Sequence, residues 1–156
     1  MDDPIGLAFD TAGNLYVANS NSNTILKFTT AGVGSVFANT GAHPRGLAFD
    51  SAGNLFVANS GDNTIQKFTS GGSGSVFANT HLSNPQGLAF DSEGNLYAAN
   101  FSSNTVAKFT SSGAGSTLIS TGLSGPWGIA VSSIPEPTSV VFLGLAVGLI
   151  AARRRK

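Results

Sequence analysis

Short apolar runs recur along residues 4–131, each bounded by Gly, Asn, Ser or Asp. In the first of them, Gly-Leu-Ala-Phe-Asp (6–10) follows Pro4 and leads into Asp-Thr-Ala-Gly-Asn (10–14). An Asp at that position accepts backbone N–H groups across a turn, and the Gly tolerates positive φ. The pattern therefore predicts a hairpin to Leu-Tyr-Val-Ala-Asn (15–19). Asn23-Thr24 then opens Thr-Ile-Leu-Lys-Phe-Thr (24–29), where apolar and polar residues alternate as in a half-buried strand. A Gly-rich turn leads to Ser-Val-Phe-Ala-Asn (35–39), so the unit reads as four short strands.

The unit repeats. Residues 4–43 return as 44–84 with most positions identical, and again as 85–125, one residue late because the connection His-Leu-Ser-Asn (81–84) is longer. A fourth copy begins with Pro-Trp-Gly-Ile-Ala-Val (126–131). Four strands per unit of about 40 residues, repeated radially, is the signature of a β-propeller blade. The expected fold is all-β, with blades over residues 1–133: three four-stranded blades and the first strand of a fourth. A closed propeller typically needs four to eight blades. Three explanations stay open: a fragment of a longer propeller, two chains completing one ring, or an open arc. The mid-pattern start at Met1, followed by Asp2, Asp3 and Pro4 with no basic or apolar leader, favours the fragment.

Composition agrees with turn-rich β-structure. Twenty Gly are present, and only 10% of residues are charged, against about 25% in an ordinary soluble domain. The formal charge of zero hides an asymmetry, because residues 153–156 hold four of the eight basic groups. The body is mildly acidic, which gives no reason to expect nucleic acid as a partner. There is no Cys, so disulfides, thiolate nucleophiles and Cys-ligated metals are excluded.

The motif Pro-x-Gly-[Leu/Ile]-Ala-[Phe/Val]-Asp-x-x-Gly-Asn, continuing to Asn-x-[Ile/Val]-x-Lys-Phe, stands at 4–28, 44–68 and 85–109. It resembles the NHL-repeat propellers and the wider six-bladed group that includes lactonases and streptogramin lyases. In the resembling enzymes, Asn and Asp at inner strand ends, with a Glu, hold a divalent metal in the central channel. The matching Asn19, Asn59 and Asn100 are present here, but the Glu is missing. Amides alone bind divalent cations weakly. No catalytic, metal-binding or cofactor-binding residue is therefore assigned, and no cofactor is expected.

The other repeated polar residues read as structural. Asp10, Asp50 and Asp91 are expected to cap turns, and Lys27, Lys67 and Lys108 to lie solvated on an outward strand face. Phe9, Phe49, Phe90, Phe28, Phe68 and Phe109 are expected in inter-blade cores. His43 and His81 fall in connections at non-matching positions, without a triad-like neighbour. Trp127 stands at the x of Pro-x-Gly and is expected to pack.

The chain closes differently. Fifteen uncharged residues, 138–152, predict a transmembrane helix of about 22 Å, short of a hydrocarbon core of about 30 Å. Pro135 and Pro137 keep the preceding segment extended. The order Pro135-Glu136-Pro137, apolar helix, Arg153-Arg154-Arg155 resembles the PEP-CTERM sorting signal of Gram-negative bacteria, over residues 134–156. That resemblance implies an exosortase-type processing enzyme as partner and a transient inner-membrane anchor. It also implies delivery to the cell surface or an exopolysaccharide matrix. The expected function is thus an exported binding or structural module with a polysaccharide or protein ligand. The alternative is a lactonase- or lyase-like metal-dependent enzyme whose active-site residues lie in missing blades.

Overall fold

The structure, a computed structural model, describes residues 2–131. Three four-stranded antiparallel sheets follow one another along the chain. The first contains β1 (Pro4–Phe9), β2 (Leu15–Asn19), β3 (Thr24–Phe28) and β4 (Gly34–Asn39). The second contains β5 (Pro44–Phe49), β6 (Leu55–Asn59), β7 (Thr64–Phe68) and β8 (Gly74–Ala78). The third contains β9 (Pro85–Phe90), β10 (Leu96–Asn100), β11 (Thr105–Phe109) and β12 (Gly115–Ile119). In each sheet the strands are paired in chain order, as in a propeller blade. The expected four strands per repeat are all present. β1, β5 and β9 begin at the proline, two residues earlier than the compact Gly-Leu-Ala-Phe core of each motif suggests.

No strand forms over 126–131. Trp127 to Ile129 nevertheless lie against Gly87 as β9 lies against β5, giving a fourth segment of the inner wall. A strand needs a hydrogen-bonding neighbour, and among the described residues this segment has none. The helix expected over 138–152, and the sorting-signal residues Pro135, Glu136, Pro137, Arg153, Arg154 and Arg155, lie outside the described residues.

The sheets pack face to face, and the repeat explains how. Tyr16, Ala18, Ile25 and Ala38 of the first sheet meet Leu47, Leu55, Val57 and Phe68 of the second. Phe56, Ala58, Ile65 and Ala78 of the second then meet Leu88, Leu96, Ala98 and Phe109 of the third. Alternation along each strand sends one set of side chains to each face, so the second sheet, between the other two, is apolar on both. Each interface holds an aromatic trio. Tyr16 stands edge-on to Phe37 and Phe49, with ring centroids 5.0 Å apart in both pairs. Phe56 stands edge-on to Phe77 and Phe90, at 4.9 Å in both. Such pairs contribute about 0.5–1.5 kcal/mol each beyond area burial. Of the six phenylalanines expected in inter-blade cores, Phe68 and Phe109 are fully buried, Phe49 and Phe90 pack against those cores, and Phe28 is half-buried. Phe9 is exposed, because no sheet among the described residues covers the outward face of the first one. Leu7 shares that face and is exposed as well.

The inner strands β1, β5 and β9 approach one another backbone to backbone. A Cβ on Gly6 would lie 1.7 Å from the Arg45 carbonyl oxygen, and one on Gly46 2.2 Å from that of Gln86. Only glycine fits at Gly6, Gly46 and Gly87, the third position of Pro-x-Gly in the first three copies, for this reason.

Candidate ligand site on the inner wall

The residue before each of these glycines lies where the sheet register breaks. The pairing of β1 with β2 shifts between Pro4 and Gly6, and that of β5 with β6 between Pro44 and Leu47. The pairing of β9 with β10 shifts opposite Ala98 to Asn100, around Gln86 and Gly87. Such an irregularity re-aims a side chain out of the normal alternation. The x positions of all four copies thereby gather in one cavity of about 270 Å³, lined by Ile5, Arg45, Gln86, Trp127 and the adjacent glycines.

These four side chains are unlike one another, although the repeats around them are nearly identical. The Arg45 guanidinium carbon lies 5.2 Å from the Trp127 ring centroid. Its Nε donates to Ser60 Oγ at 3.0 Å, which fixes the plane of the guanidinium. Among the described residues no carboxylate pairs with it; the two ion pairs found are Lys27–Asp10 and Lys67–Asp50. Gln86 is only 4% exposed. Its Nε2 donates to the carbonyl and Oδ1 of Asn84, while its buried Oε1 has no hydrogen-bond partner. Trp127 packs edge-on against Phe101 yet remains 54% exposed, so packing describes only part of it.

The repeated aspartates are occupied by the fold. Asp10 Oδ1 accepts the N–H groups of Ala12 and Asn14, and its Oδ2 accepts Asn14 Nδ2. The same three bonds recur at Asp50 and Asp91. All three carboxyls are held below the usual carboxylate range. For Asp10 the main cause is the Asn14 side-chain hydrogen bond. For Asp50 and Asp91 desolvation is the largest influence and pushes upward, but hydrogen bonds from Asn54 and Asn95 with the other local contacts outweigh it. These residues are turn caps, as their place in the repeat implied.

The lysines are less exposed to solvent than expected. Lys27, Lys67 and Lys108 each lie over the ring of a neighbouring-strand aromatic, Tyr16, Phe56 and Tyr97, at 5.3, 5.3 and 5.4 Å. Lys27 and Lys67 also reach the turn carboxylates of Asp10 and Asp50, at 3.9 and 3.7 Å. Register places each Lys directly opposite its aromatic, which the one-strand alternation did not reveal.

Asn19, Asn59 and Asn100 are buried at the end of the second strand of each sheet. Asn100 Nδ2 donates to the His81 carbonyl and to Thr105 Oγ1, and Asn59 Nδ2 to Thr64 Oγ1 and Gln66 Oε1. Asn100 thereby ties its sheet to the preceding connection, whereas Asn59 bonds within its own sheet, and the buried Oδ1 atoms of Asn19 and Asn59 have no hydrogen-bond partner. Among the described residues no group of three or more His, Cys, Asp or Glu is placed to hold a metal. His43 and His81 sit in connections, and their backbone groups, not their rings, make the hydrogen bonds found.

One set of contacts was missed in the sequence. Asn23, Asn63 and Asn104 look like turn residues, and all have positive φ. Their Oδ1 atoms accept the backbone N–H of His43, Asn84 and Gly125, each in the connection leading to the next inner segment. Each receiving residue immediately precedes a proline.

Comparison with known proteins places this geometry. The NHL repeat family matches at residues 1–28 and 42–68, which cover most of the first sheet and the first three strands of the second. Among curated proteins none matches. Solved structures of the same architecture include a streptogramin B lyase, at 18% identity and a TM-score of 0.74, covering 81% of this chain and 44% of that one. Virginiamycin B lyase from Staphylococcus aureus matches at 20% identity and a TM-score of 0.70, over 78% of this chain and 43% of the lyase. A chain of a nidogen/laminin complex matches at 25% identity and a TM-score of 0.73, over 80% of this chain and 51% of that one. This chain therefore spans about half the length of the propellers it resembles. The matches and the three stacked sheets support an NHL-type β-propeller.

Proposed function

We propose that this chain is a binding or structural propeller module that presents a ligand site on its inner wall and is exported through its C-terminal tail. The observation that carries the binding reading is the convergence of Ile5, Arg45, Gln86 and Trp127 on one cavity. Repetition elsewhere serves the fold, whereas these four positions differ from blade to blade and meet. Export rests on the order Pro135-Glu136-Pro137, uncharged stretch, Arg153-Arg154-Arg155, which would bring an exosortase-type enzyme as processing partner.

A second reading is an enzyme of the lactonase or lyase kind. It is favoured by the likeness to streptogramin and virginiamycin lyases, and it requires carboxylates beyond the described residues to complete a metal site.

Two experiments test these readings. The full chain is screened for saturable binding to soluble glycans and peptides, beside assays for lactone hydrolysis and streptogramin cleavage with added divalent cations. Binding that is lost in Arg45 or Trp127 variants, without turnover, supports the module. Metal-dependent turnover overturns it in favour of the enzyme. For export, fractionation of the native host followed by mass spectrometry of the C-terminus should find the protein outside the cytoplasm and cleaved near Pro135–Pro137. An intact tail on a cytoplasmic protein contradicts that part.

A further inference from the structure

We infer that the inner-wall cavity is a subsite for a sugar acid. One uronate-type unit would place its carboxylate on Arg45, donate a hydroxyl to Gln86 Oε1, and lay its C–H face against Trp127. The inference rests on the binding reading above and names the ligand class of that site.

Three groups set the chemistry. Arg45 is the one basic residue at this cavity; the lysines lie over aromatic rings on other strands. Its Nε bond to Ser60 and its cation–π contact with Trp127 hold the guanidinium in place, so its terminal nitrogens are preorganised for a two-point carboxylate contact. Gln86 adds a demand for a donor. Its Nε2 is committed to Asn84, while Oε1 is withdrawn from water with nothing paired to it. A buried acceptor left in that state is unfavourable, and a small turn of the Gln86 side chain that brings Oε1 to a ligand hydroxyl relieves it. Trp127 supplies an exposed aromatic surface, and Ile5 an apolar edge.

The ligand must therefore combine a carboxylate, an adjacent hydrogen-bond donor and a rigid apolar face within a small volume. About 270 Å³ is at the lower limit of the ~300–1,000 Å³ found for small-molecule sites, which suits one sugar unit. Inorganic phosphate can donate through its hydroxyl but has no apolar face to lay against Trp127. An Asp or Glu side chain offers the carboxylate without a neighbouring hydroxyl. A neutral sugar leaves Arg45 unpaired.

Isothermal titration of the full chain with trigalacturonate, maltotriose, an oligo-aspartate peptide and inorganic phosphate tests this. Saturable binding of trigalacturonate above the other three is expected, weakening as salt is raised. Arg45→Ala should weaken it by about tenfold or more, and Arg45→Lys should recover only part, since a point charge replaces the planar fork. Ile5→Glu changes an exposed position and places a negative charge beside the site. It should weaken trigalacturonate binding without moving the thermal unfolding midpoint, which keeps the test intact should the Arg45 variants fold poorly. Equal or tighter binding of maltotriose, peptide or phosphate overturns the sugar-acid inference while leaving a binding module standing. Absence of binding to all four probes also overturns it, and the wider ligand screen then decides the module reading separately.

Discussion

Asn63 Oδ1 accepts the backbone N–H of Asn84 at 2.6 Å, joining the second sheet to the connection that feeds the third. Asn23 does the same for His43 at 2.8 Å, and Asn104 for Gly125 at 2.7 Å. The asparagine is suited twice over: it tolerates the left-handed backbone, φ 56° at Asn63, and it supplies the acceptor. Asn63→Ala should therefore cost about 2 kcal/mol, roughly half from the hydrogen bond and half from the strained backbone. Asn63→Gly keeps the backbone and should cost about 1 kcal/mol. Urea unfolding of both variants checks the order; equal stability of Asn63→Ala and the parent chain would remove the staple from the account.

The receiving end is strained as well. His43 and Asn84 have φ of 54° and 52° although each precedes a proline, where extended backbone is preferred. The His43 carbonyl is held by the Ser60 N–H and Oγ, so the strain is imposed from both sides. His43→Gly should stabilise the chain by up to about 1 kcal/mol, and His43→Val should destabilise it by more than that. Thermal melts of the pair give the comparison, and a stabilising His43→Val would contradict it.

Backbone contact between inner strands makes Gly46→Ala severe. The added Cβ would meet the Gln86 carbonyl oxygen at 2.2 Å, and neither strand can retreat without disturbing its sheet. A loss of about 3 kcal/mol or more is expected, or failure to fold. Gly128→Ala is the control. A Cβ there meets nothing within 4 Å, and the change should stay within about 0.5 kcal/mol.

The turn carboxylates give the protein an acid limit. Asp10, Asp50 and Asp91 all titrate below their unfolded value of about 3.9. Above that value both states are ionised and the stabilisation is complete. As pH falls through the folded-state values the carboxyls protonate, and the stabilisation is lost. Unfolding midpoints should be level from about pH 5 to 7 and fall below about pH 4. An Asp10→Asn, Asp50→Asn, Asp91→Asn chain should show a shallower fall. An unchanged acid profile would mean other groups set it.

Much of this was legible in the sequence because repetition multiplies weak signals. Three copies of Asp-x-x-Gly-Asn made the turn caps plain, and three copies of four apolar runs made the sheets plain. What stayed hidden needed a partner from elsewhere in space. Alternation in Thr-Ile-Leu-Lys-Phe placed Lys27 on one face but could not show Tyr16 beneath it. Asn23 reads as a turn residue because its partner lies in the next repeat. The inner-wall site had one visible trace, the change from Ile5 to Arg45, Gln86 and Trp127 where the copies otherwise agree. Reading it required the register shift that turns those side chains inward.

Trp127 is the single tryptophan of the chain, and it borders the proposed site. Its fluorescence therefore reports on the cavity without any added label. Titration of the full chain with trigalacturonate should give a saturable change in emission, with the midpoint found by calorimetry, and Arg45→Ala should abolish or shift it by about tenfold or more. Binding by calorimetry with no change in Trp127 emission would place the ligand elsewhere and contradict the account.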